Sequence, residues 1–80
     1  MSDESGETVL DARGLKCPLP VLKARRVLKD LPAGGLLRVL ATDPGASKDF
    51  AHFCETTGCE MVESDREGEV LRFLLRKPGG

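Results

Sequence analysis

Cys17 is the side chain of this 80-residue sequence best suited to covalent chemistry, because of the two prolines that follow it. Pro18 and Pro20 would break a helix interior, but they cost little in a first turn, where the amides lack intrahelical partners. We therefore predict that Cys17 is the N-cap of a helix, with Pro18 at the first helical position and Pro20 at the third. A sulfur atom there faces the positive end of the helix dipole, which favours the nucleophilic thiolate.

The charges around Cys17 favour the same ionised state. Between residues 12 and 29 the sequence has six basic side chains and no acidic one, namely Arg13, Lys16, Lys23, Arg25, Arg26 and Lys29. The first eleven residues carry four acidic side chains and no basic one. The net charge of the whole chain is −1, which argues against general nucleic-acid binding. We expect a local positive patch around Cys17, part of it solvated and part of it a docking surface for an acidic partner.

The remaining candidate groups are weaker. Cys54 and Cys59 form no C-x-x-C pair, and two thiols do not complete a zinc site, so we expect no metal and no cofactor. His52 falls about two turns into a second helix, which makes it a solvent-facing residue rather than a general base for Cys17. No apolar segment follows Met1 or reaches membrane-spanning length, which predicts a soluble cytoplasmic protein with reduced thiols.

Hydrophobic periodicity and breaker residues predict the element order β-α-β-α-β-β in one domain of residues 1–80, with a frayed start at 1–7 and a flexible tail at 78–80. The expected strands lie at residues 8–12, 36–41, 59–65 and 70–77, with a hairpin turn at 66–69. The expected helices lie at residues 18–31 and from an Asp43 cap, with Pro44 at the first helical position, to Gly58. This order predicts an α+β two-layer sandwich, with a four-stranded mixed sheet and two helices on one face.

The topology brings separate segments together. A right-handed crossover makes the first two strands parallel, so that both strand-to-helix junctions lie at the same edge of the sheet. We therefore expect Cys17 near Asp43, Lys48 and Asp49. The second helix carries the other two cysteines about 15 Å from that edge, whereas a disulfide requires Cα atoms within about 7 Å. Cys17 is thus expected to have no resolving thiol in its own chain.

A reactive cysteine without a resolving thiol cannot run a dithiol redox cycle, but it can hold a sulfur atom as a persulfide and present it to another protein. We predict Cys17 as the catalytic residue of such a transfer. Gly14, Pro18 and Pro20 are expected to shape the site. The residues expected to tune the thiolate or to dock a partner are Arg13, Lys16, Asp43, Lys48 and Asp49.

The segment around Cys17 also resembles the signature of a known family. The run Leu10-Asp11-Ala12-Arg13-Gly14-Leu15-Lys16-Cys17-Pro18-Leu19-Pro20 is similar to the Cys-Pro-X-Pro region of the TusA/SirA sulfur-carrier (sulfurtransferase) family. The similarity covers nearly all of the chain from Thr8 onward and continues at four further pairs, Asp43-Pro44, Lys48-Asp49, Phe53-Cys54 and Arg76-Lys77.

This resemblance implies a β-α-β-α-β-β two-layer fold, similar to the C-terminal domain of bacterial translation initiation factor three. It also implies a persulfide on Cys17, which a cysteine desulfurase or a rhodanese-like donor loads and an acceptor protein removes. The acceptors of the family serve tRNA 2-thiouridine formation, molybdenum cofactor synthesis or sulfur oxidation. The resemblance carries no role over to Cys54 or Cys59.

Two other functions remain open. The basic face of the first helix, with Arg25 and Arg26, suits a non-catalytic regulatory module that binds RNA or an acidic protein, although the chain lacks aromatic residues for stacking on bases. The terminal Gly79-Gly80 resembles the end of ubiquitin-like carriers, which hold sulfur as a thiocarboxylate. Those domains begin with a β-hairpin, whereas this chain is expected to begin with a crossover, so the two glycines are interpreted as a tail.

Overall fold

The structure, a computed structural model, describes residues 7–79 of the chain. Along the chain lie β1 (Glu7–Ala12), α1 (Leu19–Asp30), β2 (Leu36–Ala41), α2 (Ala46–Thr57), β3 (Glu60–Glu67) and β4 (Val70–Arg76). Within these residues one four-stranded sheet has the order β1-β2-β4-β3, with β1 parallel to β2 and the other two pairs antiparallel. The predicted α+β fold with a mixed sheet and two helices is confirmed.

The core lies between the helices and one face of the sheet. Every second residue of β2 is fully buried, namely Leu37, Val39 and Ala41, which is the two-residue period of a strand with one covered face. The helices bury residues at three- and four-residue spacing, Pro20, Ala24 and Leu28 from α1 and Ala46, Phe50 and Phe53 from α2. At the centre, Phe50 stacks on Phe73 of β4, with ring centroids 4.9 Å apart.

Both helices begin later than the sequence predicted. Pro18 is the N-cap of α1, and Pro20 is its second residue. The reason is a tight turn in which the Leu19 N–H donates to the Lys16 carbonyl at 2.8 Å, so that Cys17 lies inside this turn and precedes the cap. The assignment of Cys17 as the N-cap is therefore wrong by one residue.

The second helix begins at Ala46, two residues beyond the predicted start, with Gly45 as its N-cap. Asp43 does not cap the helix with its side chain. Its carboxylate accepts a hydrogen bond from the Gly45 N–H at 3.1 Å, and its carbonyl accepts one from the Ala46 N–H at 3.0 Å. Asp43 thus forms a turn of its own before the helix. The predicted end of this helix is confirmed, because Gly58 is its C-cap with a left-handed φ of 79°.

Smaller differences concern the ends of the strands and one helix position. Glu7, expected in the frayed start, is the first residue of β1, and β3 continues to Glu67 before a turn at Gly68 and Glu69. Leu22, expected on the apolar side of α1, is 51% exposed. The rest of the expected frayed start, residues 1–6, and the last residue of the expected tail lie outside the described residues.

The face of the sheet opposite the helices is covered by arginine–carboxylate pairs. Arg38 on β2 contacts Glu7 and Glu63 at 3.3 and 3.1 Å, and Arg72 on β4 contacts Asp65 at 2.8 Å. Such pairs contribute at most about 1 kcal/mol each when exposed. The predicted placement of the β4 arginines on the uncovered face is confirmed, since the side chains of Arg72 and Arg76 are both well exposed. Neither helix within residues 7–79 is long and apolar enough to cross a membrane.

Phe50→Ala is expected to lower the free energy of unfolding by about 3–5 kcal/mol, because it removes a fully buried ring. Phe50→Leu should have a smaller effect, since it leaves a smaller cavity. Urea titration followed by circular dichroism measures both. Glu55→Ala on the same helix is the control, because Glu55 is exposed and its removal should change the stability by no more than about 0.5 kcal/mol. Equal stabilities of the Phe50→Ala and Glu55→Ala variants would contradict this account of the core.

Candidate functional site

The segment between β1 and α1 is tied to the end of β2. Gly14 has a φ of 81°, a left-handed conformation that favours glycine, and its N–H donates to the Thr42 Oγ1 at 2.9 Å. Thr42 directly follows β2. The Leu15 N–H donates to the carbonyl of Ala12, the fully buried last residue of β1, at 3.3 Å. The bend before Cys17 is therefore held by its own backbone and by the neighbouring strand.

Cys17 lies exposed at the end of this segment. The peptide bond between Cys17 and Pro18 is cis. Two residues beyond Pro18, Pro20 is fully buried in the core and anchors the first turn of α1. The thiol is thus presented to solvent from a backbone that is attached on both sides.

The Cys17 thiol donates a hydrogen bond to the Asp49 Oδ2. Asp49 lies in the first turn of α2 and is half-buried, and its neighbour Phe50 is fully buried, so the carboxylate is attached to a well-packed part of the helix. Asp43 is near enough for its charge to act on the same thiol. The prediction that the topology brings Cys17 close to Asp43 and Asp49 is confirmed.

The electrostatic consequence for Cys17 is opposite to the prediction. The hydrogen bond to Asp49 is the main cause that raises the pKa of the Cys17 thiol above its ordinary value, followed by desolvation and by the negative charges of Asp49 and Asp43. A carboxylate in direct contact disfavours a second negative charge on the sulfur. The prediction of a lowered pKa at Cys17 is therefore wrong in direction, because the contact with the Asp49 carboxylate favours the thiol over the thiolate.

The basic side chains near Cys17 do not offset this effect. Arg13 donates from its Nε to the Asp11 Oδ1 at 2.8 Å, and this pair lowers the pKa of Asp11 to about 2. Much of the charge of Arg13 is thus balanced by its own neighbour. Lys16 and Lys48 are exposed, where water weakens their action on the sulfur.

A groove of about 530 Å³ lies between α1 and α2, beside Asp49. Val21 and Phe53 provide apolar lining, and Arg25, Lys48 and His52 carry the polar groups. His52 is exposed, as predicted. This groove was not predicted from the sequence, although a signal was present. Lys48, His52 and Thr56 follow one another at four-residue spacing and share one face of α2.

The other two cysteines lie away from Cys17. The Cys59 thiol donates to the Arg76 carbonyl at 3.2 Å, and Cys54 and Cys59 are close enough to affect each other's pKa. Burial is the main cause that raises the pKa of Cys54 to about 11. All three cysteines are free. Cys59 is thus part of the core, and Cys54 packs against it.

An exposed apolar surface lies on α1 next to the Cys17 turn. Leu19 and Leu22 are 45% and 51% exposed, and they line a shallow groove together with Lys23 and Arg26. Exposed leucines beside basic side chains are typical of surfaces that contact another protein.

Comparisons with known proteins agree with this fold. A family model described as Sulfurtransferase TusA matches residues 8–77. The sulfur carrier protein TusA of Allochromatium vinosum is 50% identical over 68 residues, which cover 85% of this chain and 90% of that protein. The sulfur carrier protein TusA of Pseudomonas savastanoi pv. phaseolicola is 47% identical over 73 residues, or 90% of this chain and 87% of that protein.

Among solved structures, a SirA-like protein from Desulfitobacterium hafniense superposes with a TM-score of 0.77 at 26% identity, covering 88% of this chain and 96% of that one. The fold is therefore that of a SirA-like α+β domain. The chain belongs to the TusA family of sulfur carriers. Its β-α-β beginning is also incompatible with the hairpin start of the ubiquitin-like carriers considered above.

Alkylation of Cys17 by iodoacetamide is expected to rise with pH to a midpoint above that of a free cysteine, about 8.5. The reason is that Asp49 and Asp43 hold the thiol in its protonated form. The rate is measured by mass spectrometry of the peptide that contains Cys17, so that Cys54 and Cys59 do not contribute. A midpoint at or below that of free cysteine would show that the basic side chains dominate instead.

Proposed function

We propose that this protein carries sulfur as a persulfide on Cys17, received from a cysteine desulfurase or a rhodanese-like donor and passed to an acceptor protein. The observation that carries the proposal is the exposed Cys17 thiol on a turn anchored at both ends, in a chain that belongs to a sulfur-carrier family. A carrier needs a donor and an acceptor, and it needs its sulfur to be reachable by both. The proposed setting is the cytoplasm, in keeping with three free thiols.

The proposed loading step is an exchange between a thiol and a persulfide. The Cys17 sulfur attacks the outer sulfur of the donor persulfide, and a new S–S bond forms between them. The S–S bond of the donor breaks, its electron pair remains on the donor cysteine, and that cysteine takes up the proton that Cys17 loses. Sulfur is transferred without an external oxidant or reductant, and the acceptor removes it by the same type of attack.

The position of the other thiols supports a carrier rather than a dithiol redox protein. A neighbouring thiol would attack the persulfide and release its sulfur before an acceptor arrived. Asp49 is the residue that Cys17 contacts. Cys54 lies five residues beyond it on α2, which is about 7.5 Å along the helix axis. Its thiol is partly buried. The sulfur on Cys17 is therefore kept for a second protein.

The surface around Cys17 supports docking of an acidic partner surface. Lys16 and Lys48 are exposed near the thiol, and Arg25 and Arg26 are exposed on α1 beside Leu22. We propose that these side chains bind the donor and the acceptor, while Gly14, Pro18 and Pro20 set the shape of the turn. The acceptors that the family resemblance suggests belong to tRNA 2-thiolation, molybdenum cofactor synthesis or sulfur oxidation.

The alternative of a non-catalytic RNA-binding module has less support. All three phenylalanines of the chain, Phe50, Phe53 and Phe73, are buried, so the sequence offers no exposed aromatic ring for stacking on bases. The basic face of α1 thus fits the docking of a protein better than the recognition of single-stranded RNA.

Cys17→Ser is expected to abolish loading, because the serine hydroxyl cannot form the S–S bond. The protein is incubated with a cysteine desulfurase and cysteine, and mass spectrometry measures the gain of one sulfur atom. Cys54→Ser is the matched control and should load like the unaltered protein. Loading of the Cys17→Ser variant at the normal level would refute the proposal.

Arg25→Ala combined with Arg26→Ala is expected to slow loading about tenfold at low donor concentration, while the rate at saturating donor stays nearly unchanged. The reason is that these charges accelerate association with an acidic surface. Arg66→Ala in the β3–β4 hairpin removes the same charge from an exposed site outside α1 and serves as the control. Loading by the double variant that keeps the original rate and salt dependence would rule out this docking surface.

A further inference from the structure

The contact between Cys17 and Asp49 requires a hydrogen on the sulfur. The thiol is the donor and the carboxylate is the acceptor, since an ionised carboxylate has no proton to give. Asp49 is half-buried next to the fully buried Phe50, so its backbone belongs to a well-packed part of α2. The charged groups that lie around the sulfur are Asp49 and Asp43 from the β2–α2 side and the exposed Lys16 and Lys48.

We propose that Asp49 is a positioning residue that holds the empty carrier in its thiol form and releases Cys17 once sulfur has been loaded. This inference rests on the proposed carrier function and adds to it a difference between the empty and the loaded states. In the empty state the thiol hydrogen bond keeps Cys17 at the first turn of α2 and protects it from unspecific electrophiles.

Loading removes the basis of the contact. The thiol hydrogen of Cys17 leaves with the donor cysteine, and the Sγ is then bonded to carbon and to the transferred sulfur. A persulfide is a stronger acid than a thiol, so the outer sulfur is anionic at neutral pH. An anion next to the carboxylates of Asp49 and Asp43 is repelled by both.

The groove beside Asp49 offers the loaded sulfur a more favourable environment. Arg25, Lys48 and His52 line it, and Asp49 itself forms part of its wall. Rotation of the Cys17 side chain away from direct contact with Asp49 and toward Arg25 and Lys48 therefore reduces the repulsion by the carboxylate and adds attraction by two basic side chains. The outer sulfur is thereby turned toward the side of the molecule where a partner docks on α1.

The first test compares the reactivity of empty Cys17 in Asp49→Asn and Asp49→Glu variants. Iodoacetamide alkylation is followed by mass spectrometry of the Cys17 peptide. The pH is varied from about 6 to about 10, an interval that spans the titration of an ordinary thiol. Asp49→Asn should shift the midpoint to lower pH. For each unit of that shift the rate at pH 7 should rise about threefold, because about tenfold more thiolate is offset by a roughly threefold lower nucleophilicity.

The conservative variant and a distant one serve as controls. Asp49→Glu retains a carboxylate and should restore a midpoint near that of the unaltered protein. Glu55→Gln removes the same charge from an exposed position on α2 and should leave the profile unchanged. An Asp49→Asn profile that coincides with that of the unaltered protein would overturn the inference.

The second test uses the loaded state. Protein treated with inorganic polysulfide carries sulfur on Cys17, and its alkylation rate should be the same with Asp49 and with the Asp49→Asn substitution. A change as large as that in the empty protein would contradict the release of Cys17. If Asp49→Asn fails to fold, Asp43→Asn takes its place, since asparagine retains an oxygen for the Gly45 N–H. The alkylation midpoint of the Asp43→Asn variant should then also move to lower pH, and an unmoved midpoint would count against the inference.

The first test is independent of the carrier proposal. Alkylation of the empty protein involves no sulfur donor, so a failure of Asp49→Asn to change it leaves the loading of Cys17 intact. Conversely, loading of the Cys17→Ser variant would end the carrier proposal, while the alkylation profile of the empty thiol would still be measurable.

Discussion

The parallel pairing of β1 with β2 is the constraint on which the site depends. Ala12 at the end of β1 lies opposite Ala41 at the end of β2, so both strands end at the same edge of the sheet. The hydrogen bond from Gly14 to Thr42 directly joins the segments that follow these two strands. Because of this pairing, Cys17 and Asp49 touch although 32 residues separate them in the chain. A different order of strands would leave the thiol without its carboxylate partner.

Two electrostatic influences compete at Cys17, and distance decides between them. The start of α1 and the basic side chains act on the sulfur from outside hydrogen-bonding contact and partly through water, which reduces their effect. Asp49 acts in direct contact, and Asp43 adds a second negative charge on the same side. The effect of the Arg13 charge on the sulfur is further reduced because Arg13 is paired with Asp11. The protein thus combines exposed basic side chains on α1 with a Cys17 thiol whose pKa is raised.

The elements that were predicted well are those whose local signals agree with their packing. The β2 strand is almost entirely apolar and was predicted with its observed bounds, Leu36–Ala41. The end of α2 was predicted because Gly58 has no side chain to oppose a left-handed φ. The starts of both helices were predicted too early, because the residues predicted as caps, Cys17 and Asp43, belong to turns that precede the helices. The hydrogen bonds to the Lys16 carbonyl and the Asp43 carboxylate decided for the turns.

For the site, the amino-acid order alone was enough to predict Cys17 as the candidate residue, the turn that carries it and the sheet edge where it lies, because these follow from local backbone chemistry and from the rule for crossovers. The protonation state of Cys17 was not accessible in this way. It depends on which oxygen of which carboxylate reaches the sulfur, and that is fixed by the packing of Phe50 and the rotation of α2 against the sheet. Contacts between side chains distant in sequence have no local signature, and at this cysteine such a contact outweighs every local one.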